Sequence, residues 1–302
     1  MHGKISGVPP WETPTGMVVR YAAAAADLRN CISGYNLYRV DDPAERVDWF
    51  LPAPAMLCIS AGSGPVDALI GRKTFTDLPR AFLIGPSSSA LRMTTRGGTM
   101  MGVGITACGW ASLGLPPANH VHNRIVPAAS LLGDTAIRRL VGAIDAMPDD
   151  DALAATFDTF LAPLLHHENE AMSQIAALAK LSVTDGIIRA GDVAERMEIL
   201  PSALLRLSQR YFGLTPKLLL RRARFLRSFL QMFMANAAGR TGAIDSSYHD
   251  MSHYLRDANT FLGTTPRRFL HMATPVLKAS IYTRAAVLGT PTQALHDEAL
   301  MR

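Results

Sequence analysis

Cysteine is scarce in this chain. Only three cysteines, Cys31, Cys58 and Cys108, occur among 302 residues, and none belongs to a CxxC pair. An odd number of widely spaced cysteines does not build a disulfide framework, and zinc sites need closer spacing. The cysteines are therefore predicted to be reduced, mostly structural thiols. A redox sensor is disfavoured because no basic cluster lies beside Cys58 or Cys108 to lower a thiol pKa.

Long hydrophobic runs are also missing. No window approaches the roughly eighteen uninterrupted apolar residues of a membrane span, and the first sixteen residues contain no apolar stretch of secretory length. With 48% hydrophobic residues, the chain can nevertheless form a core for each of two ordinary domains. We therefore expect a soluble, cytoplasmic protein that has no membrane partner.

Acidic residues are absent from Ile199 to Ile244, a stretch that contains eight lysines and arginines. The charge excess is regional: residues 184–302 carry 16 basic and 9 acidic residues, whereas residues 1–183 carry 14 and 16. A stretch of this kind attracts a polyanion such as DNA, because each neutralised phosphate releases condensed counterions. The basic half is thus the candidate partner surface, with a solvated basic face as the alternative.

Hydrophobic periodicity changes along the chain. Between Cys31 and Val126 short apolar runs alternate with turn residues, which predicts a small β-sandwich or barrel with a turn at Gly97-Gly98. Residues 137–144 and 149–165 instead show helix periodicity, and these two amphipathic helices are candidates for packing on the β domain or on a second subunit. The predicted strands are Ala55–Ser60, Ala68–Ile70, Arg80–Ile84, Leu91–Thr95 and Met100–Thr106.

In the basic half, Asp192–Arg210 is predicted to form a helix, a tight turn and a second helix. Pro201 suits the first turn of that second helix, and Arg206 and Arg210 are expected about one turn apart on one of its faces. Exposed arginines at this spacing can reach guanine edges or phosphates in the major groove. The spacing alone also fits surface arginines or arginines held in salt bridges.

Two Gly-x-Thr-Pro turns follow arginines at the same distance. Gly213–Pro216 begins seven residues after Arg206, and Gly263–Pro266 begins seven residues after Arg256. Together with Tyr248–Arg256, these motifs resemble the signature of the AraC/XylS transcription regulators. The resemblance implies two helix-turn-helix units, joined by a linker helix, that bind double-stranded promoter DNA.

The linker helix that this resemblance implies spans Lys217–Met234. Lys217, Arg221 and Arg224 form a basic stripe opposite an apolar face. A helix of about twenty residues is roughly 30 Å long, close to the ~34 Å between successive major-groove faces, so one chain can read two adjacent grooves. Asp250 is expected to cap the second recognition helix. The residues assigned to DNA binding are Ser202, Leu205, Arg206, Arg210, Lys217, Arg221, Arg224, Met251, Ser252, Leu255 and Arg256.

The chain departs from the family pattern at positions that pack or cap the two units. Several base-reading positions are apolar, so readout is expected to depend on a few residues, with methyl contacts and DNA shape supplying the rest. These departures leave open a degenerate unit that no longer reads DNA. The departures are Leu200, Ser208, Ser247 and Ala258.

The N-terminal half resembles the sensory domains of one branch of this family. The resemblance lies in Trp49–Pro52, Arg80–Gly85 and Gly102–Ile105. It implies a cupin-like β domain and a small-molecule effector.

One segment also fits the opening of the metal-binding cupin motif. Gly114–His122 contains a Gly-x5-His-x-His pattern, but no glutamate follows at the required spacing. Pro116-Pro117 further disfavours a regular strand there. His120 and His122 are therefore predicted to be surface or loop histidines, and His166–Glu168 is predicted to be a solvated helix end. No metal or other cofactor is expected.

The expected fold class is α+β, and the expected function is transcription regulation rather than enzyme catalysis. We expect a homodimer, with RNA polymerase as a further partner. The alternative is a ligand-binding or protein-interaction module whose degenerate DNA-binding domain acts through a protein partner; a cupin-type metalloenzyme is a distant third. The expected divisions are a disordered terminus at 1–15, a β-rich sensory or oligomerisation domain with two C-terminal helices at 16–170, a linker at 171–183, the double helix-turn-helix domain at 184–272 and an unassigned tail at 273–302.

Overall fold

The computed structural model describes residues 14–62, 64–165, 169–237, 248 and 250–296. Most of the terminus expected to be disordered, the histidine pair of residues 166–168 and the last six residues lie outside these ranges. The described residues form an α+β protein with its strands in the first half and most of its helices in the second. Among these residues, no helix is long and apolar enough to cross a bilayer.

The N-terminal half is built on one antiparallel sheet. Its strands are β1 (Met17–Ala22), β2 (Ile32–Phe50), β3 (Met56–Ala61), β4 (Asp67–Ile70), β5 (Lys73–Phe75), β6 (Ala81–Ile84), β7 (Leu91–Ile105) and β8 (Ile125–Pro127). The order across the sheet is β1-β2-β7-β3-β6-β8, and β4 pairs with both β5 and β7. The long β2 and β7 therefore form the middle of the domain.

The glycine pair Gly97-Gly98 lies inside β7, where the sequence predicted a turn. Both glycines have positive φ, 66° and 79°. The pairing of β2 with β7 shifts register between Val40 and Glu45, opposite these glycines. A β-bulge accommodates the extra residues of β2 between Val40 and Glu45 without ending the strand. The glycines of β7 adopt the backbone angles that this bulge needs. The two predicted runs around the pair are consequently one strand.

The helices surround the sheet and then form the second half. They are α1 (Ala107–Ser112), α2 (Ala129–Leu132), α3 (Asp134–Asp145), α4 (Leu153–Leu161), α5 (Met172–Val183), α6 (Ala190–Arg196), α7 (Pro201–Leu207), α8 (Pro216–Ala237), α9 (Met251–Leu262), α10 (Pro266–Met272) and α11 (Pro275–Leu288). The two helices expected after the β domain correspond to α3 and α4.

Both faces of the sheet bury apolar side chains. Leu57 and Val103 share one core with side chains of α3 and α4, whereas Cys58 and Phe82 belong to a second core formed with β4 and β7. Adjacent strand residues point to opposite faces, so Leu57 and Cys58 enter different cores. Burial also raises the pKa of the Cys58 thiol to about 12, which leaves it a protonated, unreactive thiol at neutral pH.

Two segments of the expected divisions contain helices. Residues 172–183, within the expected linker, form helix α5, because Ile175 and Leu178 are spaced to bury one face against α6, α7 and α8. The unassigned tail contains α11, which packs against β1. The helical half therefore begins at α5 and includes a last helix that returns to the sheet.

Buried polar contacts join the two halves. Arg222 of α8 is 3% exposed and donates from Nη1 to the carbonyl oxygens of Ala53 (3.1 Å) and Ser87 (2.8 Å). Gln293 donates from Nε2 to the carbonyl oxygen of Ala55 at 3.0 Å. Buried carbonyls are costly to leave unpaired, so these bonds hold α8 and the C-terminal segment in one orientation on the sheet.

Candidate nucleic-acid interface

The first helix-turn-helix unit consists of α6 and α7. Helix α7 begins at Pro201, as predicted, while the preceding Leu200 provides no side-chain cap. Leu204 and Leu207 are buried against α6 and α8, which turns the opposite face of α7 to solvent. The exposed side chains on α7 include Ser202, Leu205 and Arg206.

A π-helical turn, Ser208–Phe212, follows α7 and interrupts the expected spacing of Arg206 and Arg210. Arg210 is exposed, but its Nε donates to Tyr211 Oη at 3.1 Å and its guanidinium lies 5.5 Å from the Tyr211 ring centroid. Ser208, where the family has a phenylalanine, is buried and donates to the carbonyl oxygen of Leu214 at 2.7 Å. This serine therefore stabilises the turn that carries Arg210.

The second unit places α9 in the corresponding position. Asp250 accepts a hydrogen bond from the His253 backbone N–H at 2.8 Å, which confirms the predicted cap. Tyr254 is 1% exposed and anchors α9 in the core beside Phe225 and Phe261. The exposed side chains on α9 include Met251, Ser252, Leu255 and Arg256.

The two Gly-x-Thr-Pro turns have the same conformation. Gly213 and Gly263 both have φ of +71°, the left-handed geometry that ends a helix and that glycine adopts without strain. Thr215 and Thr265 each accept a hydrogen bond from the backbone N–H three residues later, which starts the next helix. Each recognition helix is thus followed by an identical stop and restart.

The basic stripe of α8 is partly neutralised by an acid from α9. Asp257 is 3% exposed and accepts hydrogen bonds from Arg221 Nη2 at 2.5 Å and Arg224 Nη2 at 3.1 Å. Tyr248 Oη donates to the same carboxylate at 2.8 Å, and the Arg224 guanidinium lies 4.3 Å from the Tyr248 ring centroid. Of the three predicted stripe residues, Lys217 is exposed, while Arg221 and Arg224 hold α9 against α8.

Sequence reasoning missed Asp257 and the burial of Arg222, although helical periodicity contained a signal for both. Asp257 follows the buried Tyr254 by three residues and precedes the buried Phe261 by four. Arg222 likewise follows Leu219 by three residues and precedes Leu226 by four on α8. Positions three and four apart share a helix face, so both charged groups were placed to face the core.

Two exposed arginines have no hydrogen-bonding or ion-pairing partner for their side chains among the described residues. Across the described ranges, neither Arg206 nor Arg256 makes a side-chain hydrogen bond or ion pair. Both lie on the face of a recognition helix that is turned away from the core. Their guanidinium groups are therefore accessible to a partner, which the intramolecular salt-bridge interpretation of these arginines would have prevented.

A cavity of about 400 Å³ lies between the sheet domain and helices α5 and α8. Its lining is mostly apolar and includes Trp110, Lys180, Arg222 and Gln293. Arg222 Nε and Gln293 Oε1 are buried there without a hydrogen-bond partner. Burial lowers the pKa of Arg222 to about 10, so the side chain stays protonated at neutral pH. The cavity thus contains a buried cation with donor capacity to spare.

Of the two histidines in Gly114–His122, His120 is exposed and His122 is partly buried. His122 Nε2 is 2.9 Å from Ser88 Oγ. Burial, reinforced by the charges of Arg222 and Lys73, lowers the pKa of His122 to about 4, so the ring is neutral at neutral pH. No group of three metal-binding side chains occurs in the portion of the chain for which the structure gives positions.

The comparisons with known proteins find only distant likeness. No protein-family profile matches the chain, and no curated protein matches it significantly. An apo variant of ToxT from Vibrio cholerae is 13% identical, with 87% of this chain and 100% of that chain covered and a TM-score of 0.42. The AraC-like transcriptional activator CuxR is 11% identical over 75% of this chain and 89% of that chain, with a TM-score of 0.27.

A cupin superfamily protein from Desulfitobacterium hafniense is also similar, at 8% identity and a TM-score of 0.23, over 30% of this chain and 78% of that chain. These three TM-scores are all below 0.5, so function is inferred below from this chain's own residues.

Proposed function

We propose that this chain is a sequence-specific, DNA-binding transcription regulator of the AraC/XylS type. The observation that carries the proposal is a pair of exposed arginines, Arg206 and Arg256. Neither makes a side-chain hydrogen bond or ion pair among the described residues, and each lies on a helix that is followed by a Gly-x-Thr-Pro turn. Helix α8 between the units has 22 residues and is about 33 Å long, close to the ~34 Å repeat of the major groove. Two adjacent major grooves can then each receive one recognition helix.

The proposal divides the cations by role. Arg206 and Arg256 contact base edges, where a guanidinium can bond guanine O6 and N7 together. Lys217 neutralises a backbone phosphate, which positions the protein without reading sequence. Arg221 and Arg224 act through Asp257, because their charges are already used to fix the orientation of α9.

Fluorescence anisotropy of the full chain with a duplex from its own upstream region tests this proposal. Arg206→Ala and Arg256→Ala are each expected to cost ~1–3 kcal/mol on that duplex and to relax sequence preference. Lys217→Ala should weaken binding to all duplexes alike and reduce the salt slope by about one.

Arg72→Ala is the matched control, because Arg72 is an exposed arginine in the turn between β4 and β5, remote in sequence from both units. It is expected to bind like the unsubstituted chain. Equal losses on all duplexes for Arg206→Ala would contradict its base-reading role. Failure to bind any duplex at low salt would favour the alternative, a module that acts through a protein partner.

We further propose that the 400 Å³ cavity receives the small-molecule effector. A buried charge without a carboxylate partner costs several kcal/mol, and an anionic ligand group would offset that cost at Arg222. The apolar lining suits a hydrocarbon portion of the same ligand. Because α5 and α8 form one wall, occupation of the cavity would influence the DNA-binding half.

Titration with straight-chain carboxylic acids and the corresponding alcohols tests the cavity, with the fluorescence of the lining Trp110 as the signal. Binding is expected for the acids and is expected to weaken in Arg222→Met. Equal binding of acids and alcohols would contradict an anion site, and absence of a response in both series would remove the cavity from the proposal.

A homodimer, a contact with RNA polymerase and a cytoplasmic location complete the proposal. Helices α3 and α4 are the candidate dimer elements, since they lie at the end of the sheet domain and cover its first core. Light scattering that detects only monomer at micromolar concentration would contradict the dimer.

A further inference from the structure

The outward faces of the two recognition helices carry the same three residue types in the same order. They are Ser202, Leu205 and Arg206 on α7, and Ser252, Leu255 and Arg256 on α9. All six side chains are exposed, and the two leucines are exposed to nearly the same extent, 41% and 42%. The i, i+3, i+4 spacing puts each set on one helix face.

The inward faces of the same helices differ. Leu204 and Leu207 are buried on α7, whereas Tyr254 and Asp257 occupy the equivalent positions on α9. Packing within the chain selects the residues of the inward faces, and it has selected different ones. Packing within the chain therefore does not account for the match on the outward faces. Among the described residues, the two outward faces have no contact in common.

The match extends to the way each set is presented. Arg206 and Arg256 both precede a glycine with φ of +71° by seven residues. Each of these glycines is followed by a Thr-Pro that begins the next helix. Equivalent side chains thus lie at the same distance in sequence from equivalent turns, and a π-helical turn intervenes in the first unit.

We propose that both helices read the same short DNA element, so that the operator contains this element twice, about one helical turn apart. This inference rests on the DNA-binding function proposed above. Arginine pairs with guanine O6 and N7, leucine contacts the methyl group of thymine, and the serine hydroxyl donates to a base acceptor or accepts from a base donor. Each copy is therefore expected to contain a guanine with a neighbouring thymine.

Selection of duplexes from a random pool by the full-length chain tests the repeat. The expected product contains two similar elements, each with a guanine beside a thymine, with centres about 10–11 base pairs apart. Replacement of that thymine by deoxyuridine removes only the methyl group and should weaken binding about threefold to fourfold at either copy. Leu205→Ala should abolish this methyl effect in one copy and Leu255→Ala in the other.

Arg206→Gln and Arg256→Gln provide a second, independent measurement. Glutamine pairs with adenine N6 and N7, so each variant should exchange guanine for adenine at the same position of a different copy. Each variant should bind the original operator roughly tenfold more weakly and recover when the matching base is changed. Arg72→Ala again serves as the control and should leave the selected sequence unchanged.

The outcomes separate this inference from the function on which it rests. A selected site with a single element, or glutamine variants that act on unrelated bases, would overturn the repeated element while DNA binding stands. Failure to retain any duplex at low salt would overturn the proposed function itself. Two elements with paired responses to the two variants would support both.

Discussion

Asp257→Asn removes the carboxylate that holds the second recognition helix on the linker helix. The Asp257 side chain is 4% exposed and accepts hydrogen bonds from Arg221, Arg224 and Tyr248. Asparagine keeps one acceptor oxygen but places an amide donor against a guanidinium or a hydroxyl. Two partly buried cations then lose their counter-charge, and one donor in the cluster loses its acceptor.

The magnitude follows from how far the pair is buried. Removing one partner of a buried ion pair costs about 3–5 kcal/mol. We expect about 3 kcal/mol, because Arg221 keeps 33% of its side chain exposed and solvent compensates part of the loss. For 302 residues unfolding as one unit, an unfolding entropy of about 2 cal/mol/K per residue converts this loss into a fall in Tm of about 5 °C.

Differential scanning calorimetry of the full chain measures this shift, with Asp185→Asn as the matched control. Asp185 is 82% exposed and lies 3.7 Å from Arg227, so loss of that pair should cost below about 1 kcal/mol. If the two variants melted within about 1 °C of each other, Asp257 would not anchor α9. Arg221 and Arg224 would then again be candidates for direct contact with DNA.

Substitution of each of the two turn glycines should lower Tm by a different amount, and substitution of one histidine should change the dependence of Tm on pH. Gly213→Ala should destabilise more than Gly263→Ala, because a Cβ at Gly213 would lie 3.0 Å from Pro86 and 3.1 Å from the Ala118 carbonyl oxygen, whereas one at Gly263 meets nothing within 4 Å. The second variant should cost only the left-handed strain of about 1–2 kcal/mol, and equal Tm values for the two would contradict this. The folded pKa of His122, about 4, lies below its ordinary 6.5, so the unfolded state binds a proton first and stability should fall as pH drops from about 6.5 to about 4. His122→Gln should flatten the dependence of Tm on pH in that window; an unchanged profile would exclude His122 as its source.

Short-range chemistry explains why the helix-turn-helix units could be predicted from their residues. An N-cap such as Asp250 needs only backbone N–H groups two or three positions later, and a left-handed stop needs only a glycine at the right place. Tyr254 lies two residues before Arg256 on the opposite face of α9, and its 1% exposure shows that it faces the core. Such interactions depend on neighbours in sequence, and sequence contains those neighbours directly.

Long-range pairing explains the errors in the sheet. Gly97-Gly98 resembles a turn in isolation, but β2 pairs with the chain on both sides of it and keeps it in one strand. The hydrogen bonds to β2, some fifty residues away in sequence, outweigh the local propensity of these glycines for a turn. Residues 172–183 show the same limit, because the core that buries one face of α5 is formed with α6, α7 and α8, which follow it in the chain.

By itself, the sequence determined where helices α7 and α9 begin and which of their residues face outward, because caps, turns and helical periodicity act over a few positions. Only the tertiary structure decided which arginines remain available. Arg221 and Arg224 were predicted as part of an acid-free stripe, yet Asp257, 36 and 33 residues away, pairs with both and partly neutralises them. Charges interact through space, so the free cations of a surface are known only once distant segments have been brought together.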